Sequence, residues 1–330
     1  MEMILTELVA VTDLSSVGQV RRAAVAAARR LDLDENQTGE LALLATEVSR
    51  NVLVHGGGGE VIVVGLKRND KALGRLLALD RGPGIPDLAR AMTDGFSTSG
   101  TPGSGLGAMK RIASALEIFS SPAGTVVRVE IGKDPDSDGL QIAGMAVPYP
   151  GEQVCGDAWS CHQSPERVLA MIADGLGHGL AAAEAAQEAI ATFHARIDCT
   201  PVEILSYIHD ALRKTRGAVA GIAEIRPLEQ KLIFAGIGNI AAVLVSPARS
   251  QSLVSHNGTL GSIAPRIQHF QFEWKPDSML ILHSDGLQSR WDLSSYAGLV
   301  SRHAAIIGGT LIRDFRRQRD DASVVVVKAA

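Results

Sequence analysis

Aspartates at the ends of apolar runs or at tight turns recur in the second half of the sequence. They lie in four segments: Cys155-Gly-Asp157, Ile172-Ala-Asp174-Gly-Leu-Gly-His-Gly179, His283-Ser-Asp285-Gly286 and Asp320-Asp321-Ala-Ser. Carboxylates that converge at one sheet edge repel each other unless cations lie between them. Hard oxygen ligands suit Mg²⁺ or Mn²⁺, and two such ions can activate water for attack on phosphate. A single Asp-Gly pair more often only makes a turn, so the metal prediction depends on the four segments together.

A second set of polar residues has helical spacing in the first half. Glu47, Asn51 and His55 are each four residues apart, and they follow the border of an apolar stripe that includes Leu44 and Val48. Half-buried Glu and Asn side chains need partners. Mg²⁺ and a phosphate group would supply them, because Asn offers an oxygen ligand and Glu can take a proton. A solvated polar edge is the alternative for each residue taken alone.

Two glycine-rich segments follow this helix. Asp80 ends a strand-like run and precedes Gly82 and Gly84, so its carboxylate can accept a hydrogen bond from an adenine amino group beside a turn open to a ligand. The segment Gly100-Thr-Pro-Gly-Ser-Gly-Leu-Gly107 precedes a helix, whose N-terminus suits a triphosphate. A plain turn is the alternative for either segment alone.

The elements that must position these residues form two domains of mixed α/β class. A polar, turn-rich linker at residues 134–139 separates a domain at 1–133 from a domain at 140–330. Predicted helices are a helix capped by Ser15 or Ser16 that runs to Arg30, a helix from Thr38, and Gly107–Leu116, Leu180–Ala195 and Pro201–Lys214. Predicted strands are Val61–Lys67, Arg75–Leu79, Thr125–Ile131, Gln141–Val147, Val168–Ala173, Ala218–Ile225, Lys231–Ala235 and Met279–His283.

Composition excludes several classes of protein. The 330 residues are 46% hydrophobic and 21% charged, which is typical of a globular chain. A net charge of −4 and only 4% aromatic residues give no attraction to nucleic acid and no base-stacking platform. No secretory signal pattern and no apolar run of about 20 residues occur, and the three cysteines include no CxxC pair. A cytoplasmic protein without a membrane partner is expected.

The ordered motifs of the first half resemble the Bergerat-fold (GHKL) ATP-binding domain, in the version found in anti-sigma-factor serine kinases. The resemblance covers about Thr6 to Gly132 and rests on an N box (Glu47, Asn51, His55), a first glycine box (Asp80, Gly82, Gly84) and a second glycine box (Gly103, Gly105, Gly107). It implies that Asn51 binds Mg²⁺, that Glu47 assists phosphoryl transfer and that Asp80 reads adenine. The segment Met92–Pro102 would be a short lid.

The second half, from about Leu140 to Lys328, resembles the SpoIIE-type metal-dependent serine/threonine phosphatases of the PPM family. Asp174–Gly179 is its most specific motif. The resemblance implies an α-β-β-α sandwich in which Asp174 bridges two metal ions. Asp157 and the Gly175 carbonyl would complete one metal site. Asp285 and Asp320 would complete the other.

Three points of this resemblance stay open. Asp320 is favoured over Asp321 because the family motif usually places its ligand first. His178 either lies near the metals or makes a local hydrogen bond. The family often has an aromatic pair after the first aspartate, where this chain has Ala158-Trp159, and no basic phosphate clamp is identifiable in the sequence.

Together the two resemblances imply a bifunctional partner-switching regulator. It would phosphorylate a STAS-domain protein on Ser or Thr with ATP and Mg²⁺, and dephosphorylate it with Mg²⁺ or Mn²⁺. A phosphatase whose N-terminal domain only senses ATP or binds a partner is the first alternative, and a binding module with two inactive sites is the second. The substrate protein and the oligomeric state, including a homodimer, stay open.

Overall fold

The N-terminal half forms a five-stranded sheet. The computed structural model describes residues 2–68, 70–92, 105–133, 139–247, 249–262 and 266–329. Elements of this half are β1 (Glu2–Val11), α1 (Leu14–Arg30), α2 (Glu35–Val54), β2 (Gly59–Arg68), β3 (Lys71–Asp80), α3 (Leu88–Ala91), α4 (Gly105–Ile112), β4 (Ala115–Ser121) and β5 (Gly124–Gly132). The strand order is β1-β2-β3-β5-β4. Apolar residues of α1, α2 and α4 form one buried cluster with one face of this sheet.

Both long helices of this half begin with an aspartate cap. Asp13 accepts hydrogen bonds from the backbone N–H groups of Ser15 and Ser16, and Ser16 completes a capping box. Asp34 accepts a hydrogen bond from the backbone N–H of Gln37 at the start of α2, and the Gln37 side chain completes a second capping box. The predicted caps were therefore wrong: the helices begin before Ser15 and Thr38. An aspartate oxygen satisfies the free N–H groups of a first turn as well as a serine does, so the sequence offered several neighbouring caps.

The predicted helix Gly107–Leu116 ends earlier in the structure. Helix α4 stops at Ile112, and β4 starts at Ala115 and pairs with β5. Leu116 lies directly opposite Val129 in that ladder. Strand pairing supplies hydrogen bonds for the backbone after Ile112, and a local apolar pattern cannot show such a distant partner.

The C-terminal half contains two five-stranded sheets. Its helices are α5 (Leu180–Ala195), α6 (Pro201–Ala211) and α7 (Ala304–Phe315). Its strands are β6 (Leu140–Val147), β7 (Asp157–Gln163), β8 (Val168–Gly175), β9 (Ala218–Arg226), β10 (Lys231–Ile237), β11 (Ala241–Val245), β12 (Ser250–Leu253), β13 (Phe270–Glu273), β14 (Met279–His283) and β15 (Ala322–Ala329). The sheet orders are β13-β10-β9-β8-β7 and β12-β11-β14-β15-β6. Helices α5 and α6 share a buried cluster with the first of these sheets.

Contacts divide the chain into two compact units, and one segment departs from the sequence order. The first unit contains Asp136–Trp291 and Asp314–Ala330, whereas Asp292–Arg313 joins Met3–Pro135 in the second. The domain limits at 133 and 140 stay a prediction, and the contact units differ from them in this segment.

Segment Asp292–Arg313 packs on the N-terminal sheet. A methyl group at Gly309 would lie 3.1 Å from Val126 and 3.2 Å from Leu79. Because side chains alternate along a strand, Leu79 projects opposite to Ala78, which belongs to the cluster shared with the helices. The segment therefore covers the sheet face that α1 and α2 leave free.

The predicted class, two domains of mixed α/β structure, is confirmed. In the described ranges, no helix has both the length and the apolar composition needed to cross a membrane.

Candidate functional site

The first sheet of the C-terminal half sets two of the predicted aspartates side by side. Asp157 begins β7, and Asp174 lies near the end of β8. The antiparallel register places them directly opposite each other. Opposed residues of such a pair project from the same face of the sheet. Strand pairing therefore unites two carboxylates that are distant in sequence.

The second sheet supplies the other three aspartates. Asp285 follows β14, and Asp320 and Asp321 precede β15. These two strands are antiparallel neighbours, so the end of one lies beside the start of the other. The Ser323 hydroxyl then donates a hydrogen bond of 2.7 Å to Asp157, which connects this edge to the first pair.

Burial and neighbouring aspartates raise the pKa values of Asp157 and Asp174. Burial raises the pKa of Asp157 to about 7, with further contributions from Asp321 and Asp320, while serine hydroxyls oppose the rise. Burial and the charge of Asp157, followed by those of Asp285, Asp320 and Asp321, raise the pKa of Asp174 to about 9. Like charges that are buried together disfavour ionisation, and a bound cation reverses that effect. The electrostatics of this edge thus favour cation binding.

Asp320 and Asp321 have different surroundings. Asp321 is buried and accepts a hydrogen bond of 2.8 Å from the backbone N–H of Tyr149. Its Oδ2 atom is buried without a hydrogen-bond partner. Asp320 is more exposed and accepts a bond of 3.0 Å from the Asp321 N–H. Asp321 is thus held by the backbone, and Asp320 faces the other carboxylates more openly.

The donor set fits a hard divalent cation. Across the described residues, no group of three or more His, Cys, Asp or Glu side chains is already arranged to hold a metal ion. Mg²⁺ keeps several waters and needs only one or two protein carboxylates, so an open set of aspartates suits it. The unpartnered Oδ2 of Asp321 and the mutual pKa increases are consistent with such an ion. The assignment of individual ligands stays a prediction.

Neighbouring polar residues orient parts of this set. The Asn239 side chain donates a hydrogen bond of 2.6 Å to Asp285. His178 forms a hydrogen bond of 2.9 Å with Glu152 and stacks on Tyr149. His178 thus has a hydrogen-bond partner, but that partner is 26 residues away in sequence and the bond is not the local one predicted. The sequence analysis gave no role to Glu152, Tyr149 or Ser323, because their contacts join segments that are distant in sequence.

In the N-terminal unit, Asp80 is a buried carboxylate held by backbone amides. It accepts hydrogen bonds from the N–H groups of Gly82, at 2.9 Å, and Thr125, at 3.2 Å. Burial raises its pKa, and these amides together with Arg313 and His55 oppose the rise. A buried carboxylate fixed in this way can accept a hydrogen bond from a ligand amino group.

Two glycines bring the end of α2 against the Asp80 turn. A methyl group at Gly82 would lie 2.8 Å from the Gly56 Cα atom, and one at Gly56 would lie 2.5 Å from the Asp80 Cβ atom. Gly84 has φ of +75°, and a methyl group there would lie 2.2 Å from the Ser121 carbonyl oxygen. Larger residues would separate the N box from the first glycine box.

The N-box residues lie along α2 as predicted. Glu47 and Asn51 are half-buried, and His55 is the exposed C-cap. Neither the Glu47 nor the Asn51 side chain has a hydrogen-bond partner in the described parts of the chain. Half-buried polar groups that lack partners fit a bound Mg²⁺ and nucleotide phosphate.

The second glycine box is described only in part. Gly105 and Gly107 lie in the first turn of α4, which contacts the core through Met109. Gly103 and lid residues 93–102 lie outside the described residues. Their predicted roles stay predictions.

Two folds thus define the class of the chain. The N-terminal fold is a five-stranded sheet with helices packed on it, and the C-terminal fold contains two sheets with five aspartates at strand ends. Residues 10–131 match the model of the histidine kinase-like ATPase domain. Residues 164–330, about half of the chain, match that of stage II sporulation protein E (SpoIIE). The chain belongs to the SpoIIE family, and its C-terminal half is a PPM-type serine/threonine phosphatase domain.

Two relatives from Bacillus subtilis (strain 168) correspond to the two halves. Serine/threonine-protein kinase RsbT is 32% identical over 93 residues, which cover 28% of this chain and 70% of RsbT. Phosphoserine phosphatase RsbX is 27% identical over 139 residues, which cover 42% of this chain and 69% of RsbX. A crystal structure of RsbX in complex with magnesium shares the fold, with a TM-score of 0.53, 19% identity, and coverage of 66% of this chain and 100% of RsbX.

Proposed function

We propose that this chain switches a partner protein by phosphorylating and dephosphorylating it on Ser or Thr. The C-terminal domain would remove the phosphoryl group, and the N-terminal domain would add it from ATP. The observation that carries the proposal is the edge at which Asp157 and Asp174 face each other and acquire raised pKa values. The relatives' names, a serine/threonine-protein kinase and a phosphoserine phosphatase, support the same pair of activities.

The C-terminal residues have separate roles in this proposal. Asp174 would hold both cations, with Asp157 and the Gly175 carbonyl on one side and Asp285 with Asp320 on the other. Ser323 orients Asp157, and Asn239 orients Asp285. When bound, Mg²⁺ or Mn²⁺ would neutralise phosphoryl charge and favour attack by water. Asp321, fixed by the Tyr149 N–H, would shape the site.

In the N-terminal domain, some residues would bind the nucleotide and one would take part in phosphoryl transfer. Asp80 would accept a hydrogen bond from the adenine amino group, and Gly82 and Gly84 allow the turn that holds it to pack against Gly56 and Ser121. Asn51 would hold Mg²⁺. Glu47, one turn earlier on α2, would take the proton of the substrate hydroxyl group.

We propose a STAS-domain protein as the substrate, in a partner-switching pathway of the anti-sigma-factor type and in the cytoplasm. The support is the resemblance of the glycine-box segment to switch kinases and the joining of both domain types in one chain. These two features favour one shared target, because a fused kinase and phosphatase reach the same partner at one location.

Labelled ATP tests both activities in the full chain. Asp174→Asn silences hydrolysis, so label transferred to STAS proteins of the same genome would accumulate. Wild type with Mn²⁺ should then remove it. Glu47→Ala should abolish transfer yet keep most ATP affinity, because a residue used in the transition state affects turnover more than binding. ATP binding without transfer to any STAS protein would instead indicate a sensor domain that regulates the phosphatase.

A further inference from the structure

An arginine from a separate loop lies against the glycine loop that follows Asp174. A methyl group at Gly177 would lie 3.1 Å from the Nη1 atom of Arg216. Gly177 is three residues beyond Asp174, a span that an extended chain covers in about 10 Å. The Arg216 guanidinium therefore lies close to the acidic edge, where no basic phosphate clamp was identifiable from the sequence.

The loop that carries Arg216 is firmly held. Leu176 donates its backbone N–H to the Gly217 carbonyl at 3.1 Å, which joins the two loops directly. The Thr215 hydroxyl donates to the Leu212 carbonyl at 2.8 Å and accepts from the Gly217 N–H at 3.0 Å. Gly217 has φ of +85° and lies against the Leu260 carbonyl. The backbone thus fixes where Arg216 starts, while its side chain is exposed.

Arg216 has no carboxylate partner among the residues that the structure describes. Three residues earlier, Arg213 is also exposed but is paired with Asp210 at 3.1 Å. A third arginine, Arg317, lies near Asp320. Burial and Asp285 raise the pKa of Asp320, and Arg317 opposes that rise, so the charge of Arg317 acts on that carboxylate. Of these three arginines, Arg216 is the one that the structure places against the glycine loop after Asp174.

The negative charge of the site would repel a phosphate group unless a basic side chain offsets it. Two divalent cations would still leave the five aspartates with a negative charge uncompensated, and a phosphoserine carries roughly −1.5 to −2 charges at pH 7. A planar guanidinium binds phosphate oxygens in a bidentate way and stays charged at every working pH. The side chain thus has the chemistry that a phosphorylated substrate requires at this position.

We infer that Arg216 is a phosphate-binding residue of the C-terminal site and that it holds the phosphoryl group of the phosphorylated protein. This inference rests on the proposed phosphatase function and adds to it the residue that recognises the substrate's phosphate. The exposed apolar side chains of Leu176 and Leu180 flank the same loop. They favour a protein as the bearer of that phosphate, because single apolar groups around a charged site suit a peptide surface better than a small anion.

Calorimetric titration of inorganic phosphate into the Mn²⁺-loaded full chain tests the inference. Arg216→Gln should weaken phosphate binding by about tenfold or more, since it removes a charged group that can donate two hydrogen bonds to the phosphate. Arg216→Lys should recover part of the affinity, because it restores charge but not the bidentate geometry. Arg213→Gln is the matched control, with the same loss of charge on the adjoining helical turn, and should bind like wild type. Mn²⁺ affinity should be unchanged in all three variants.

Hydrolysis of p-nitrophenyl phosphate separates this inference from the proposed function. Arg216→Gln should raise KM by a similar factor and change kcat less. Phosphate affinity that depends on Arg216 in a chain without hydrolytic activity would uphold the inference and reject the phosphatase. Wild-type phosphate affinity in Arg216→Gln, an equal loss in Arg213→Gln, or no phosphate binding by the loaded wild type would overturn it.

Discussion

Each unit of the chain buries acidic residues, but they are compensated in different ways. In the N-terminal unit, Glu130 forms ion pairs with Arg75 at 2.5 Å and with Arg128 at 2.7 Å. Burial would raise its pKa, yet these arginines lower it to about 2. In the C-terminal unit, Asp157 and Asp174 face other aspartates and serine hydroxyls, and their pKa values rise to about 7 and 9.

This difference distinguishes Glu130, whose ion pairs stabilise the fold, from Asp157 and Asp174, whose surroundings suit a bound cation. Glu130 has its countercharges within the chain, so its ionised form stabilises the sheet. Among the described residues, Asp157 and Asp174 form no ion pair with a basic side chain, so an ion from solution would provide the balance. Asp80 lies between these cases, since backbone amides hold it and its pKa is still raised. Burial of a carboxylate therefore indicates function only when no basic partner accompanies it.

The largest effect is expected from Asp174→Asn. It removes the charge that would serve both cations, so hydrolysis of a phosphoprotein or p-nitrophenyl phosphate with Mn²⁺ should fall by at least about a thousandfold. ATP affinity should not change. Asp210→Asn, at an exposed position on α6, is the control and should keep full activity. Near-normal turnover of a folded Asp174→Asn protein would reject the metal assignment.

Glu130→Gln should mainly affect stability. Both Glu130 and Arg75 are 1% exposed, and removal of one charge from a buried pair costs about 3 kcal/mol or more. Urea unfolding at pH 7 measures this loss. Glu117→Gln, at a more exposed position beside Arg128, is the control and should lose less.

The same pair of variants gives a pH test. The folded-state pKa of Glu130, about 2, is below the ordinary 4.5, so the carboxylate stabilises the fold above about pH 4.5. That contribution is lost as the pH falls from 4.5 toward 2. Unfolding free energies of wild type should decline through this window, and those of Glu130→Gln should decline less. Parallel curves would mean that Glu130 is not the responsible group.

Asp80→Asn should weaken ATP binding by at least about tenfold, because the variant loses a charged acceptor that two amides hold in place. Titration with Mg-ATP measures it, and hydrolysis by the C-terminal domain serves as the internal control. If Asp80→Asn and Asn51→Ala both bind ATP like wild type, the N-terminal site is not the nucleotide site.

Ser323→Ala should have the smallest effect of these variants. It removes the hydrogen bond of 2.7 Å to Asp157, and loss of such support for a ligand typically costs about tenfold in metal affinity. Calorimetry with Mn²⁺ measures the change. Ser301→Ala, whose hydroxyl bonds locally to Gly298, is a matched control. An unchanged affinity for Mn²⁺ would remove Asp157 from the ligand set.

Elements whose sequence pattern is local were predicted well. Helix α5 and strand β14 have the predicted limits. The meeting of Asp157 and Asp174 also followed in outline from their positions at strand ends. What the sequence could not show was register: strand β7 was not predicted, so the direct opposition of these residues appears only in the structure.

Residues that act through distant partners were the ones missed. Arg216 contacts a glycine loop that is remote in sequence, and Asp321 is held by Tyr149 from another strand end. The predicted helix wrongly includes Ala115 and Leu116, the first two residues of β4, because pairing with β5 overrides the local helical pattern there. Each omission has one physical reason: the stabilising contact is non-local, and side-chain spacing records only near neighbours.

Segment Asp292–Arg313 affects when the N-terminal unit can finish folding during translation. The sheet face that contains Leu79 and Val126 is completed by Gly309 and its neighbours, which are translated after most of the C-terminal half. Until then, a nascent N-terminal domain presents an apolar face without its cover, a state that favours aggregation and chaperone binding. A fragment cut at residue 133 would keep that face uncovered permanently, whereas the longer chain can close it only after residue 313 has been translated.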